Sequence, residues 1–304
     1  MSVAIRFDDR TAIVTGAGSG LGRSHALMLA ARGAKVVVND PGKSVAGDWL
    51  ADGVAAEIVA AGGQAVANHE SVASVDGAQR LVDQAVDSFG GVDILINNAG
   101  ILRDRSFAKS EMADFDLVVG VHLLGSAYCS RAAWPVMQQA GYGRIVMTLS
   151  NTGLYGNFGQ ANYGAAKAGL IGLMNVLKIE GRKYGILVNA LAPMAATAMT
   201  EATMSPEMLA RFDPAFASSG MAVLASEGFA ESGTILSAAA GHYAKVRIVS
   251  ARGAQFTDDS VSPEQVLDAW DRIGDLSDPV LFDSAGDEVS YVAERTMKAV
   301  ATAD

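Results

Sequence analysis

The stretch "TAIVTGAGSGLGRSHALMLAARGAKVVVND" (residues 11–40) decides the fold. It opens on a short β-branched run, turns through four glycines, continues with apolar residues at helical spacing and closes on a second β-branched run. Two strands joined through a helix run parallel to each other. The stretch therefore predicts a strand–helix–strand unit whose helix is entered through a glycine-rich turn.

The same alternation of strand and helix signals continues outward along the chain. Further short apolar runs that suit strands stand at 93–100, 144–150 and 186–193. Runs this apolar are typical of strands that helices cover on both faces. We therefore expect an α/β fold with a Rossmann-type doubly wound parallel sheet.

The alternation stops near the end of the chain, after "ARGAQF" (251–256). A new helix is predicted to open at "SPEQVLDAW" (262–270), where a serine precedes a proline. We therefore expect a main domain over residues 1–255. Residues 256–304 are expected to form a C-terminal helical extension packed on that domain.

The glycine-rich turn "TGAGSGLG" (15–22) is suited to binding a dinucleotide. Its glycines let the backbone approach a pyrophosphate, and the N–H groups of the following helix point at the phosphates. Asp40 ends the next strand, where a carboxylate binds ribose hydroxyls and repels a 2′-phosphate. This favours NAD over NADP. The alternative, a solvated loop acid before Pro41, stays open because Lys43 could soften the repulsion.

Tyr163 and Lys167 in "YGAAK" (163–167) lie four residues apart, on one face of a helix that should begin near Ala161. An ammonium beside a phenol stabilises the phenolate, so the pair can exchange a proton near neutral pH. Ser150, at the end of the preceding strand, can donate a hydrogen bond to a substrate oxygen. Taken singly, each residue has an ordinary alternative role. Tyr163 could be a packing residue, Lys167 a solvated cation and Ser150 a helix N-cap.

Composition excludes several classes of function. The 33 acidic and 23 basic residues give a formal charge of −10, which argues against nucleic acid as a partner. Cys129 is the lone cysteine, so no internal disulfide forms, and the four histidines are too scattered for a metal site. No run reaches the roughly 18 apolar residues of a spanning helix. We expect a soluble, cytoplasmic protein without a metal.

Together the motifs resemble the short-chain dehydrogenase/reductase family, over roughly residues 5–250. The resemblance rests on "TGAGSGLG" (15–22), "NNAG" (97–100), Ser150, "YGAAK" (163–167) and Pro193, in that order. It implies that Ser150 polarises the substrate oxygen, that Tyr163 is the general acid/base, and that Lys167 lowers the phenol pKa and holds the nicotinamide ribose. It also implies an NAD-binding set: Gly16, Ser19, Gly20, Leu21, Gly22, Asp40, Ser71, Val72, Asn98, Ala99, Gly100, Tyr163, Lys167, Pro193 and Thr197.

A narrower resemblance is to the D-3-hydroxyacyl-CoA dehydrogenase (17β-hydroxysteroid dehydrogenase) branch. It rests on "NNAGILRDRSF" (97–107), "VHLLGS" (121–126) and "YGNFGQANY" (155–163). It implies oxidation of a 3-hydroxyacyl-CoA or a hydroxysteroid by a stand-alone dehydrogenase with an extended C-terminal region. Two alternatives remain open: a non-catalytic NAD(H)-binding sensor or scaffold, and a 3-oxoacyl thioester reductase.

Two positions depart from the wider family. His122 stands where most members have Asn, so it is a fourth catalytic candidate, although a core histidine is the favoured role for its imidazole. Met194 stands where a Gly usually follows Pro193, which weakens the expected nicotinamide contact through Thr197.

The segment 194–224 is the expected cover of an apolar substrate. Its flexible thioethers suit a bulky acyl chain or sterol ring, and we expect Met199, Met204 and Met208 there, with Tyr155 lining the same pocket. Packing of short helices on the sheet is an equal alternative. Apolar residues on several faces of 170–183 also predict a homodimer or homotetramer, through this helix and the one near 115–139.

Overall fold

A computed structural model describes residues 4–195, 205–258 and 260–301. It contains an eight-stranded sheet in the order β3-β2-β1-β4-β5-β6-β7-β8, in which only β8 runs antiparallel to its neighbour. The strands are β1 Thr11–Thr15, β2 Lys35–Asn39, β3 Gln64–Asn68, β4 Ile94–Asn97, β5 Gly143–Thr148, β6 Ile186–Met194, β7 Ile235–Ala239 and β8 His242–Val246. The predicted doubly wound parallel sheet is confirmed.

Helices cover both faces of this sheet. They are α1 Gly20–Ala31, α2 Leu50–Ala60, α3 Val75–Phe89, α4 Met112–Val119, α5 Gly125–Ala140, α6 Asn151–Tyr155, α7 Ala161–Gly181, α8 Pro206–Arg211 and α9 Pro214–Ala225, with a π-helical turn at Gly120–Leu124 between α4 and α5. Successive strand residues point to opposite faces, so Ile13 packs on one side of β1 and Val14 on the other. One face meets α1, α2 and α9, and the opposite face meets α3, α5 and α7.

The order of the strands reverses between β1 and β4, where the chain passes from one half of the sheet to the other. In doubly wound sheets, ligands bind in the crevice outside the carboxyl ends of the strands at this point. The predicted glycine-rich turn, "NNAG" and Ser150 follow the carboxyl ends of β1, β4 and β5. The fold therefore brings these three motifs to one edge of the sheet.

Residues Arg247–Asp304 form a second compact unit, and Met1–Val246 form the first. This division falls earlier than the boundary expected after residue 255, because β8 closes the sheet at Val246. The second unit contains α10 Pro263–Asp268, α11 Trp270–Ile273 and α12 Ala285–Ala301. Ser262 and Gln265 form a capping box at the predicted start of α10. Packing of this extension on the main domain stays a prediction.

One helical stretch, Met112–Ala140, is long and apolar enough to cross a membrane by length and composition alone, and 28% of its most apolar window is buried. This stretch is α4, the π-helical turn and α5. Its residues Cys129, Ala133 and Met137 are fully buried in the core beneath the sheet. A core helix of a sheet protein passes the same test, so this stretch is weak support for a span.

Candidate active site

The turn between β1 and α1 is shaped for close approach of a phosphate group. Gly16 and Gly20 have φ of +62° and +50°, a region that L side chains rarely adopt. A Cβ at Gly22 would lie 2.1 Å from the carbonyl oxygen of Gly16, so only glycine fits there. Ser19 is the N-cap of α1, and its side chain makes no capping hydrogen bond. The Ser19 side chain thus leaves the first N–H groups of α1 uncapped, which fits the pyrophosphate of a dinucleotide.

Thr15 and Asn98 hold this turn in place from inside. The Thr15 hydroxyl accepts hydrogen bonds from the backbone N–H groups of Asn98 (2.9 Å) and Ala99 (3.0 Å). The Asn98 amide donates to the carbonyl oxygens of Thr15 (2.9 Å) and Gly16 (3.1 Å). The Asn98 side chain therefore shapes the cofactor turn. Sequence reasoning quoted Thr15 without assigning it a role, although it is the last residue before the first glycine.

Asp40 lies beside the turn, at the carboxyl end of β2. Its two carboxylate oxygens accept hydrogen bonds from the backbone N–H groups of Gly18 (2.9 Å) and Gly42 (2.8 Å). Lys43, whose charge could have softened the repulsion of a phosphate, lies with its ammonium 4.0 Å from the centre of the Trp49 ring. The carboxylate is thus fixed in orientation by the backbone on both sides.

The remaining predicted cofactor residues lie along the same edge of the sheet. Val72 is buried and Ser71 exposed, in the loop between β3 and α3. Gly100 lies against the His122 ring, since a Cβ there would approach His122 Cε1 to 2.2 Å. Pro193 is the second-last residue of strand β6 and pairs with Ala238 of β7. Thr197 lies outside the described residues.

The catalytic candidates meet where β5 and α7 approach each other. Helix α7 begins at Ala161, as predicted, and places Lys167 Nζ 5.5 Å from the centre of the Tyr163 ring. Lys167 is buried and donates to the Thr148 carbonyl oxygen at 2.5 Å. Strand β5 ends at Thr148, two residues before the expected end, and Ser150 is the N-cap of α6, accepting from the Thr152 N–H at 3.2 Å. Ser150 therefore caps α6 and also lies in the candidate site.

Burial controls the protonation of this group. It raises the pKa of Tyr163 above its ordinary value, while a hydrogen bond with Ser150 lowers it and the Asp104 carboxylate raises it. Burial also lowers the pKa of Lys167 to about 7. A buried site disfavours the charged form of each residue, so the phenol is held neutral and the ammonium is weakened. The expected depression of the phenol pKa by Lys167 stays a prediction.

His122 lies in the π-helical turn, with its imidazole facing the loop after β4. Its Nε2 is 3.0 Å from the Ile101 nitrogen and 2.8 Å from the Ile101 carbonyl oxygen, and its ring meets Tyr163 edge-on at 5.1 Å. Burial, with a smaller contribution from the charge of Lys167, lowers the pKa of His122 to about 3. The imidazole is neutral at physiological pH, which suits the favoured role of a core histidine.

Two polar residues near Tyr163 were missed by sequence reasoning. Gln160, directly before α7, donates through Nε2 to Asp104 Oδ2 at 2.7 Å. Asp104 lies in the loop after β4, which runs past the start of α7. Both residues stand inside quoted motifs, but nothing in their spacing of 56 positions indicated that they touch.

The structure describes only part of the expected substrate pocket. Tyr155, the last residue of α6, is 75% exposed. Met199 and Met204 lie outside the described residues, and Met208 is in α8. The pocket itself therefore stays a prediction.

Comparison with known proteins agrees with this geometry. A family model for short chain dehydrogenases matches residues 10–208. Peroxisomal multifunctional enzyme A of Dictyostelium discoideum is 47% identical over 294 residues, covering 95% of this chain and 66% of that protein.

Two solved structures share the fold along most of the chain. Full-length peroxisomal multifunctional enzyme type 2 from Drosophila melanogaster matches with a TM-score of 0.83 and 41% identity, over 97% of this chain and 50% of that one. A 7α-hydroxysteroid dehydrogenase complexed with NADH and 7-oxo glycochenodeoxycholic acid matches with a TM-score of 0.70 and 30% identity, over 78% of this chain and 95% of that one.

The chain spans between about half and two thirds of the length of the multifunctional relatives that it matches. The glycine-rich turn and the Ser150, Tyr163 and Lys167 group both fall inside the matched range of the family model. The chain belongs to the short-chain dehydrogenase family.

Proposed function

We propose that this protein is an NAD-dependent dehydrogenase that reversibly oxidises a secondary alcohol to a ketone, with a 3-hydroxyacyl-CoA or a hydroxysteroid as substrate. The observation that carries the proposal is the group of Ser150, Tyr163 and Lys167 at the carboxyl edge of the sheet, beside the glycine-rich turn. The names of the relatives support the substrate class, since they include multifunctional enzymes of the peroxisome and a hydroxysteroid dehydrogenase.

The side chains of this group have complementary tasks in such a reaction. Bound NAD⁺ supplies the acceptor for the hydride that leaves the alcohol carbon. Ser150 donates a hydrogen bond to the substrate oxygen and orients it towards Tyr163 Oη. The hydroxyl proton passes to the Tyr163 phenolate in the oxidation, and returns from the phenol in the reverse reaction. Lys167, with a pKa of about 7, holds a proton beside the phenolate and neutralises its charge.

Asp40 supports NAD over NADP. Its carboxylate, held by the N–H groups of Gly18 and Gly42, lies where an adenosine ribose would bind. A 2′-phosphate placed there would meet a fixed negative charge. We therefore propose NAD as the cofactor, with weaker use of NADP.

Helices α4 and α7 support a homodimer or homotetramer. Each exposes apolar side chains, namely Met112, Leu117, Val176 and Ile179. Exposed apolar side chains on these helices favour association with another copy. Light scattering measures the mass in solution, and a monomer would contradict this part of the proposal.

A cytoplasmic location is also part of the proposal. The net charge of −10 and pI of about 4.9 are compatible with it. The peroxisomal names of the relatives make the peroxisome the competing location. Fractionation of the native cell, with detection of the chain by antibody, separates the two.

Turnover of a substrate panel tests the proposed reaction. Purified protein with NAD⁺ and either 3-hydroxyacyl-CoAs or hydroxysteroids should produce NADH absorbance, and Tyr163→Phe should abolish it while NADH binding persists. Tyr184→Phe, which removes a hydroxyl away from the site, is the matched control and should keep full activity. NADH binding without turnover of any secondary alcohol would favour the sensor or scaffold. Faster reduction of 3-oxoacyl thioesters with NADPH would favour the reductase.

A further inference from the structure

Gln160 connects three segments of chain around Tyr163. Its Oε1 accepts hydrogen bonds from Thr152 Oγ1 (2.9 Å) and Asn157 Nδ2 (3.0 Å). Its Nε2 donates to Asp104 Oδ2 (2.7 Å). The amide thus reaches the segment after β5, its own loop and the loop after β4 at the same time.

Backbone contacts beside Gln160 fasten the loop after β4 to the start of α7. The Arg105 N–H donates to the Gly159 carbonyl oxygen at 2.9 Å, and Arg105 forms an isolated parallel bridge with Gln160. On the other side of Asp104, the buried Asn162 amide donates to the Arg103 carbonyl oxygen at 3.0 Å. Asp104 is therefore fixed from both neighbouring residues, and its carboxylate meets Gln160 in a defined geometry.

The three segments that Gln160 joins carry the groups of the active site. Thr152 is two residues after Ser150 and bonds to the Ser150 hydroxyl, and Gln160 is three residues before Tyr163. We propose that the Asp104–Gln160 pair is a positioning element that fixes Ser150 and Tyr163 relative to each other for the dehydrogenase reaction. This inference rests on the proposed function. Neither residue of the pair needs to touch the substrate.

The charges around this pair make a selective test possible. Arg103 and Arg105 flank Asp104, and Arg103 Nε lies 3.5 Å from Asp114. Tyr163 faces Ser150, His122 and Lys167 from its other sides. Within the pair itself, the contact is a neutral amide N–H donating to a carboxylate oxygen. A second carboxylate in place of the amide would oppose Asp104 directly.

The variant Gln160→Glu converts the pair into two carboxylates at hydrogen-bond distance. Such a pair keeps one shared proton at low pH, so the bridge persists, and loses it as the pH rises, so the two charges repel. The oxidation rate of the wild type should rise with pH as Tyr163 loses its proton. We expect the variant to follow the wild type at low pH and to lose about tenfold in kcat/KM at high pH. The Gln160→Glu profile therefore lies about tenfold below the wild-type profile at every pH where both carboxylates are charged.

The double variant Asp104→Asn/Gln160→Glu restores the contact with donor and acceptor exchanged. The amide at position 104 then donates to the carboxylate at position 160, so the wild-type profile should return. Gln139→Glu is the control, since it makes the same charge change at the exposed end of α5. Gln139→Glu should leave the profile unchanged. Circular dichroism and thermal unfolding confirm that each variant is folded.

A second readout does not depend on turnover. In protein labelled with [ζ-13C]tyrosine, the Tyr163 signal is assigned by its loss in Tyr163→Phe. We expect Gln160→Glu to move this signal with rising pH, and the double variant to return it to the wild-type position. An unchanged Tyr163 signal in Gln160→Glu, or no recovery in the double variant, overturns the positioning role. If no alcohol is oxidised, the proposed function fails, and the Tyr163 signal still decides this inference.

Discussion

A methyl group added at Gly22 tests how tightly the dinucleotide turn is built. In Gly22→Ala, the new Cβ would lie 2.1 Å from the Gly16 carbonyl oxygen and 2.5 Å from Asn98 Nδ2. Ordinary contacts are about 3.5 Å, so the turn must shift by more than about 1 Å. Overpacking costs about 1–3 kcal/mol, and the two Asn98 hydrogen bonds are worth about 1 kcal/mol each. Alanine regains up to about 1 kcal/mol of helix propensity, which leaves a net loss of about 2–4 kcal/mol.

The same shift should weaken cofactor binding, because it moves the N–H groups that meet the pyrophosphate. We expect the Kd for NADH to rise at least about tenfold, measured by fluorescence titration, and urea denaturation to give the loss of stability. Gly53→Ala in α2 is the matched control, since a Cβ there meets nothing within 4 Å. It should gain up to about 1 kcal/mol and bind NADH as the wild type does. A Gly22→Ala protein with stability and NADH affinity close to the wild type would refute this account of the turn.

Three further outcomes follow from charges and burial. Asp40→Asn removes the negative charge and one of the two backbone hydrogen bonds. NADH should therefore bind about tenfold more weakly, and the preference for NADH over NADPH should shrink. Titration with both cofactors checks this, and equal losses of affinity for both would contradict it. Burial lowers the pKa of Lys167 to about 7, so its penalty on stability is full below pH 7 and fades towards pH 10.5. Lys167→Met should therefore abolish turnover yet raise the free energy of unfolding at pH 7 by a few kcal/mol. About 1 kcal/mol of this gain is lost because the Thr148 carbonyl is left without its hydrogen bond. Urea titrations should show no gain near pH 10.5. Burial lowers the pKa of His25 to about 3, so on acidification this imidazole is protonated in the unfolded chain before it is protonated in the folded protein. Through this residue, the free energy of unfolding of the wild type should fall by about 1.4 kcal/mol per pH unit below pH 6. His25→Gln should lose that part of the slope between pH 6 and 5, and identical slopes would count against it.

Periodicity predicted the central strands because they are buried on both faces. β1, β2, β4, β5 and β6 lie within the predicted apolar runs or within one residue of them. The edge strands β3 and β8 are half-exposed, so polar residues interrupt their apolar signal. For such strands, pairing with a neighbour decides the structure, and a local window of sequence contains no information on that neighbour.

The candidate site was predictable where one turn or one helix face holds all of its residues. The spacing of Tyr163 and Lys167 reports adjacency, because a helix repeats every 3.6 residues. Contacts between distant segments of the chain produce no such spacing pattern in the sequence. Thr15 with Asn98, and Asp104 with Gln160, are separated by 83 and 56 positions, and each meets its partner only because the sheet brings loops together at one edge.

Adjacency alone does not set the protonation of the Tyr163 and Lys167 pair. On a solvated helix face the ammonium would keep its ordinary pKa, and its charge would be screened from the phenol. Here Lys167 is buried, and its pKa of about 7 means that a small change in surroundings changes its charge. A negative charge arriving on Tyr163 Oη would restore the ammonium, since each charge then compensates the desolvation of the other. We therefore expect formation of the phenolate to be coupled to protonation of the lysine, and that coupling would come from the depth of the site and not from the four-residue spacing.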